Sequence, residues 1–229
     1  CKNGCVWEKT NGPGGGKTLT IAIDPINTNI LYTGTYPLTN NEFYPYDGGV
    51  YKSYDAGLTW QEKNKGIDNK EIWAMRIDPN NNNIIYAGSN DGDIYKSTDA
   101  AESWVKVKDK VDNFETIFSI EVDSENSNLV LAGSRYGRIY RSEDGGNSWE
   151  TIYTEGSIEK GGVISSIHIS PHYSNIIFAT SGFMDVWDSN SDYGLFKSID
   201  NGKTWTPITN GLEGNVNFGD TAFDPENEN

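Results

Sequence analysis

The feature that most constrains this chain is a repeat with two parts. The first reads Ile-x-x-Asp-Pro, then Asn-rich turn residues, then an apolar strand. It occurs as IAIDPINTNILYTGT (21–35), MRIDPNNNNIIYAGS (75–89), IEVDSENSNLVLAGS (120–134) and IHISPHYSNIIFATS (167–181), and a further start, TAFDPENEN, occupies 221–229. The second part reads Tyr-Lys-Ser, a turn, then Trp. It occurs as YKSYDAGLTW (51–60), YKSTDAAESW (95–104), YRSEDGGNSW (140–149) and FKSIDNGKTW (196–205). The tryptophans Trp60, Trp104, Trp149 and Trp205 are spaced by 44, 45 and 56 residues. A unit of this size cannot bury its apolar face alone, so copies must stack on one another.

Each period holds four short runs in which apolar and polar residues alternate, separated by Asn, Gly and Asp clusters. For the second period these are IWAMRID, NIIYAGS, DIYKS and SWVKVKD. Alternation with period two is the signal of a half-buried strand. No amphipathic helix stands out. The expected fold class is therefore all-β: a β-propeller of four-stranded antiparallel blades, with four complete blades and partial first and last ones. The expected boundaries are an N-terminal segment at 1–17, blades at 18–66, 67–112, 113–157 and 158–212, and the start of a further blade at 213–229. Trp7, in VWEKTNGPGGGK, matches the fourth strand of a blade and reads as a ring-closing strand. On this reading the natural chain continues past residue 229.

The turn before each Trp resembles the Asp-box of BNR-repeat proteins, Ser-x-Asp-x-Gly-x-Thr-Trp. Its copies are Ser53, Asp55, Gly57 and Trp60; Ser97, Asp99 and Trp104; Ser142, Asp144, Gly146 and Trp149; Ser198, Asp200, Gly202 and Trp205. An Asp side chain here can accept hydrogen bonds from turn N–H groups. Glycine supplies a positive φ at low cost. The Trp is expected to pack between neighbouring sheets. The second copy has Ala101 in place of the glycine, which should distort or strain that turn. A folding role accounts for the four aspartates without any ligand, and the resemblance also places the Asp-box away from the active sites of such families.

The formal net charge of −15 argues against nucleic acid, which needs a basic footprint. Surface acid of this kind mainly keeps a protein in solution. No stretch approaches the length of an apolar spanning helix. The two cysteines, Cys1 and Cys5, have no metal-ligand spacing. Cys1 reads either as the lipid-anchored first residue of a mature bacterial surface lipoprotein or as the place where numbering happens to start. A disulfide between them would close only a tiny loop and stabilise little. No cofactor or metal motif is present. His168 falls in a strand and His172 in the turn after it, and neither reads as a ligand or a base.

Blades two and three join their second and third strands with the minimal loops NDGD and RYGR. Blades one and four carry insertions there, YPLTNNEFYPYDGG (36–49) and GFMDVWDSNSDYG (182–194). Long loops on a rigid scaffold are where function concentrates. Phe43, Tyr44, Tyr46, Phe183, Trp187 and Asp192 are the candidate ligand-binding residues, since aromatic faces stack on sugar rings and carboxylates bond hydroxyls. Asp47 and Asp188 are the candidate catalytic pair, with Asp185 and Asp192 as other sources of the second carboxylate.

Tyr46-Asp47-Gly48-Gly49-Val50-Tyr51 is similar to the first-blade segment of xyloglucan-active glycoside hydrolases, where a catalytic Asp precedes Gly-Gly. The opening Trp-Glu-Lys-Thr-Asn-Gly-Pro-Gly-Gly-Gly resembles bacterial and archaeal surface BNR-repeat proteins. Sortilin-type domains are more distant, because their cysteine-rich continuation is missing. Sialidases are disfavoured: Arg76 sits in the repeat's own Arg-Ile-Asp-Pro rather than in a separate arginine motif.

Two functions follow. The first is an extracellular or cell-surface binding or scaffolding propeller, without a cofactor, for a polysaccharide or a surface protein. The alternative is a glycoside hydrolase acting through Asp47 and a second carboxylate. If the Asp-box carboxylates serve turns rather than a cation, a thermal melt will be unchanged by excess chelator. A fall of more than a few degrees would show that they hold a metal.

Overall fold

The computed structural model describes residues 12–14, 16–37, 48–111, 115–153, 162–182, 194–208 and 219–223. Among these residues every regular element is a strand, and the sixteen strands form four separate four-stranded sheets. The first sheet comprises β1 (Lys17–Ile23), β2 (Leu31–Tyr36), β3 (Gly49–Ser53) and β4 (Gln61–Glu62). The second holds β5 (Ile72–Asp78), β6 (Asn81–Ser89), β7 (Ile94–Ser97) and β8 (Val105–Lys108). The third holds β9 (Ile117–Val122), β10 (Val130–Ser134), β11 (Arg138–Ser142) and β12 (Glu150–Tyr153). The fourth holds β13 (Val163–Ile169), β14 (Ile177–Gly182), β15 (Gly194–Ser198) and β16 (Thr206–Ile208). In each sheet the strands pair antiparallel in chain order.

The first strand of each sheet packs against the first strand of the next, so β1, β5, β9 and β13 stand side by side. Sheets joined along their first strands and fanning outwards form an all-β propeller, with these strands innermost. Apolar clusters fill the seams between blades. Tyr32, Val50, Met75 and Ile77 meet between blades one and two. Tyr86, Ile94, Ile120 and Val122 meet between two and three. Leu131, Ile139, Ile167 and Ile169 meet between three and four.

The turn before each Trp is held in the same way four times. The Ser53 hydroxyl donates to Asp55 Oδ1 at 2.8 Å and accepts from the Gly57 N–H at 2.8 Å. Asp55 in turn accepts from the Thr59 N–H at 2.8 Å and from its hydroxyl at 2.6 Å. Ser97 with Asp99, Ser142 with Asp144, and Ser198 with Asp200 repeat this set. The bonds force two successive residues into the left-handed region: Ala56 and Gly57, Ala100 and Ala101, Gly145 and Gly146, Asn201 and Gly202. Hydrogen bonding to the ionised form favours it. Asp99 and Asp144 are accordingly pulled down to about 2, chiefly by the hydroxyls of Ser103 and Ser148.

Ala101 does not distort its turn. It keeps the bond to Ser97 at 2.9 Å and adopts a φ of 71°, so the strain sits in the residue rather than in the hydrogen bonds. What does change is the tryptophan. The indole N–H of Trp60, Trp149 and Trp205 donates to the carbonyl of its own turn glycine. That of Trp104 reaches the preceding blade instead, at Lys63 O, 2.9 Å away.

A second repeated bond joins neighbouring blades. Lys52 Nζ donates to Ala100 O at 2.9 Å, Lys96 Nζ to Gly145 O at 2.7 Å, and Arg141 Nε to Asn201 O at 2.6 Å. The cation of each Tyr-Lys/Arg-Ser segment therefore caps the first left-handed residue in the next blade's turn. The Asn-rich turns hold the same residue from its other side, because the carbonyls of Asn29, Asn83 and Asn128 accept the N–H of Ala56, Ala100 and Gly145.

The turn glycines differ in the room around them. A Cβ on Gly57 would meet only the Trp60 ring edge at 3.6 Å, whereas one on Gly146 would lie 2.9 Å from the Tyr86 ring. Gly57→Ala should cost only the left-handed penalty, about 1 kcal/mol. Gly146→Ala should cost roughly 1–3 kcal/mol more through overpacking. Urea titration of the two variants checks the order, and equal losses would disprove the steric account.

Candidate functional site

Antiparallel order within each blade puts the Asp-box turns and the Asn-rich turns at one end of the strands. The β2–β3, β6–β7, β10–β11 and β14–β15 connections lie at the other. Both insertions leave from this second end, at Pro37 and after Gly182. The candidates Phe43, Tyr44, Tyr46 and Asp47, and Phe183, Asp185, Trp187, Asp188 and Asp192, lie outside the described residues. The same holds for Cys1, Cys5 and Trp7.

What the structure does describe is the ground on which the first insertion stands. Tyr36 closes β2 directly before it. The Tyr36 ring meets Trp73 on β5 edge-on at 6.3 Å, and Trp73 meets Phe118 on β9 at 5.5 Å. All three are half-buried. The three rings thus run from the second strand of blade one across the inner strands of blades two and three, beside the loop foot. The Trp73 indole N–H is buried, with no hydrogen-bond partner among the described residues. Neither Trp73 nor Phe118 is identifiable in the sequence. They sit near the start of their strands, one residue after the buried Ile72 and Ile117, and only the ring geometry brings them together.

Next to this row, an open polar depression of about 550 Å³ is lined by Pro37, Asp68, Glu71, Asp93, Lys106 and Lys110, among others. Lys106 lies 2.9 Å from Asp93 and 3.2 Å from Asp68, and these hydrogen bonds hold its ammonium above the ordinary range. Glu71 is pushed up by burial, offset in part by a hydrogen bond from Asn90. It therefore keeps its proton to a higher pH than a free glutamate. Deeper at the same end, the fully buried Glu115 accepts from the Tyr140 hydroxyl, from Arg138 at 2.9 Å and from the Val111 N–H at 3.0 Å. Lys108 lies over the Tyr140 ring at 3.7 Å. These partners explain how charged groups persist inside the seam between blades two and three.

At the Asp-box end, one position of the inner strands carries a row of charge. Arg76 pairs with Glu121 at 2.9 Å across one seam. His168 on the next strand binds Asp220 at 2.8 Å through its Nε2. His168 is thus engaged by a carboxylate that its strand position alone does not suggest. Glu121 is pushed up to about 7 by burial, against the pull of Arg76 and His168. Among the described residues no cluster of His, Cys, Asp and Glu is placed to hold a metal, and no helix is long and apolar enough to cross a membrane.

The family model for Sortilin-Vps10, described as sortilin, neurotensin receptor 3, matches residues 48–137. Solved structures match over more of the chain. An ancestral GH74 enzyme superposes with a TM-score of 0.70 at 22% identity, covering 90% of this chain and 25% of its own. The GH74 enzyme of Niastella koreensis gives 0.62 at 19%, covering 83% and 30%. The GH74 xyloglucanase from Xanthomonas campestris gives 0.59 at 17%, covering 82% and 29%. The chain resembles the BNR-type β-propellers. It spans less than a third of the length of these three structures, and at such identities the likeness is one of fold. No curated protein matches it in sequence.

The raised Glu121 has a defined sign. A carboxyl that holds its proton more tightly when folded than when unfolded stabilises the fold most at low pH. That contribution is lost as pH rises from about 4.5 towards 7. Relative to Glu121→Gln, the wild type should lose stability across this window, by at most about 3 kcal/mol. Chemical denaturation of both proteins at several pH values measures the difference, and parallel curves would show that Glu121 titrates normally.

Proposed function

We propose that this chain is an extracytoplasmic binding or scaffolding propeller whose ligand face is the end carrying the two insertions, and that its ligand is a polysaccharide. The observation that carries this is the row Tyr36, Trp73 and Phe118 at the foot of the first insertion. Half-buried rings in a row across three blades fit an extended chain of sugar rings better than a compact metabolite, because apolar contacts to ring faces and edges can follow one another along the row. Phe43, Tyr44, Tyr46, Phe183, Trp187 and Asp192 would extend that platform from the loops. The polar depression beside it offers carboxylates and ammonium groups for hydroxyls.

A second reading rests on Glu71. A glycoside hydrolase needs one carboxyl kept protonated and another ionised. Burial raises Glu71, which lines the same depression as Pro37, where the insertion that carries Asp47 departs. In this reading Asp47 and a second carboxylate, Asp188 or Glu71, would share the acid and base roles. The binding reading is preferred because the aromatic row involves three blades, whereas Asp68 and Asp93, the carboxylates beside Glu71, are both engaged in ion pairs with Lys106.

Calorimetric titration with xyloglucan and mixed-linkage β-glucan, alongside a reducing-sugar assay, separates the two. The binding reading expects affinity without turnover, weakened about tenfold in Trp73→Ala or Trp187→Ala, as for the loss of one aromatic contact worth roughly 1.4 kcal/mol. Turnover that disappears in Asp47→Asn would establish the hydrolase instead. Absence of any glucan binding would remove the polysaccharide from the proposal.

A further inference from the structure

Each of the four inner strands breaks its register with the second strand at the same place. The shift falls between Thr18 and Thr20 in β1, Ile72 and Ala74 in β5, Ile117 and Ser119 in β9, and Ile164 and Ser166 in β13. One residue is therefore bulged out of each ladder: Leu19, Trp73, Phe118 and Ser165. Alternation puts residues two apart on one side of a strand, and an extra residue makes that spacing three. In β5 and β13 the half-buried residues are accordingly three apart, Trp73 with Arg76 and Ser165 with His168, while the rest of each strand is buried. The bulge is what turns Trp73 away from the seam and onto the same side as Arg76.

The residue before the bulge fixes its position. It is Ile72, Ile117 and Ile164 in blades two to four, each fully buried. Each sits against a glycine of the preceding blade: a Cβ on Gly34, Gly88 or Gly133 would come within 2.6 Å of that isoleucine side chain. So the strand start is clamped, and the next residue is pushed out of the ladder beside the end that carries the insertions. The bulge position itself is not set by packing, because the scaffold accepts Leu, Trp, Phe and Ser there. Bulges commonly re-aim a side chain next to a functional site. Here the same device recurs in four blades and supplies two of the three rings in the aromatic row.

We infer that the bulge position is where this scaffold sets its ligand specificity, and that Leu19 and Ser165 contact the same ligand as Trp73 and Phe118. This rests on the binding reading above and extends it. The sugar chain crosses all four inner strands, meeting apolar side chains in blades one to three and a hydroxyl in blade four. The Ser165 hydroxyl lies 2.9 Å from that of Thr180, so the polar end of the row is a pair of hydroxyls suited to a sugar hydroxyl.

Calorimetric titration of the 229-residue chain with mixed-linkage β-glucan oligosaccharides tests this by placing one ring on and off the row. Leu19→Trp adds the ring at a bulge position. Thr18→Trp puts it one residue earlier, at an exposed position outside the row. Leu19→Trp should tighten binding about fivefold, as for one added aromatic contact, and Thr18→Trp should leave it unchanged. Phe118→Ser copies the bulge residue of blade four into blade three, so the fold has already shown that it accepts the exchange. It should weaken binding about tenfold and keep a melting temperature close to that of the wild type. Equal effects of the two tryptophans, or a Phe118→Ser protein that melts early but binds normally, would overturn the inference and leave the binding reading standing if Trp73→Ala still weakens affinity. Failure of the unaltered chain to bind any glucan would overturn both.

Discussion

The structure depends on a turn that a chain of L-residues resists making. Two successive left-handed residues cost free energy wherever a Cβ is present. Here a serine hydroxyl and an aspartate fix them from below, and the N–H groups they recruit have few other partners. Once the turn is fixed, the third and fourth strands pair and the tryptophan indole is delivered to a defined place. The first left-handed residue also turns its carbonyl outwards, where the preceding blade's Lys or Arg caps it. One local motif thus closes a hairpin and links two blades. Ala101 shows how firmly the bonds dictate the backbone: the glycine is absent, yet the conformation is kept.

The same economy governs the seams. Alternation along each inner strand sends one set of side chains to the preceding blade and leaves the other for the following blade and the axis. On that second set the repeat relaxes, and Ala22, Arg76, Glu121 and His168 occupy equivalent positions. The scaffold needs nothing specific there, which is why charge can be placed at its Asp-box end. At the opposite end the same freedom lets Trp73 and Phe118 replace the residues that bare packing would need. The aromatic row and the raised Glu71 both arise where the repeat is least constrained and the loops are longest.

Strand content, blade order and the Asp-box bonds were legible because they rest on local physics: alternation with period two, turn residues at fixed offsets, and hydrogen bonds spanning four residues or fewer. The cation cap was not, although Lys52, Lys96, Arg141 and Lys197 recur at one position of the repeat. A lysine next to a turn reads as solvated until the neighbouring blade is in place. The Trp73 row is hidden for a related reason. Its members come from β2, β5 and β9, some forty residues apart, and none departs from the pattern of its own strand. The insertions at 36–49 and 182–194 stand out in the sequence by their length, but the loop residues named there lie outside what the structure describes.

By itself the sequence determined that this protein is all-β, that it is built of four-stranded units, and that each unit turns through an Asp-box. Those properties are set by the spacing of side chains along one strand and one hairpin. Tertiary structure decided which of them touch across a seam: that Lys52 caps Ala100, that Glu121 is buried beside Arg76, and that three aromatic rings line up at the foot of the first insertion. It also decided that Ile21 and Ile23, indistinguishable in pattern from their buried counterparts, face outwards. The reason is that burial and pairing depend on what the neighbouring blade places opposite, and a repeat specifies its own blade more completely than the blade next to it.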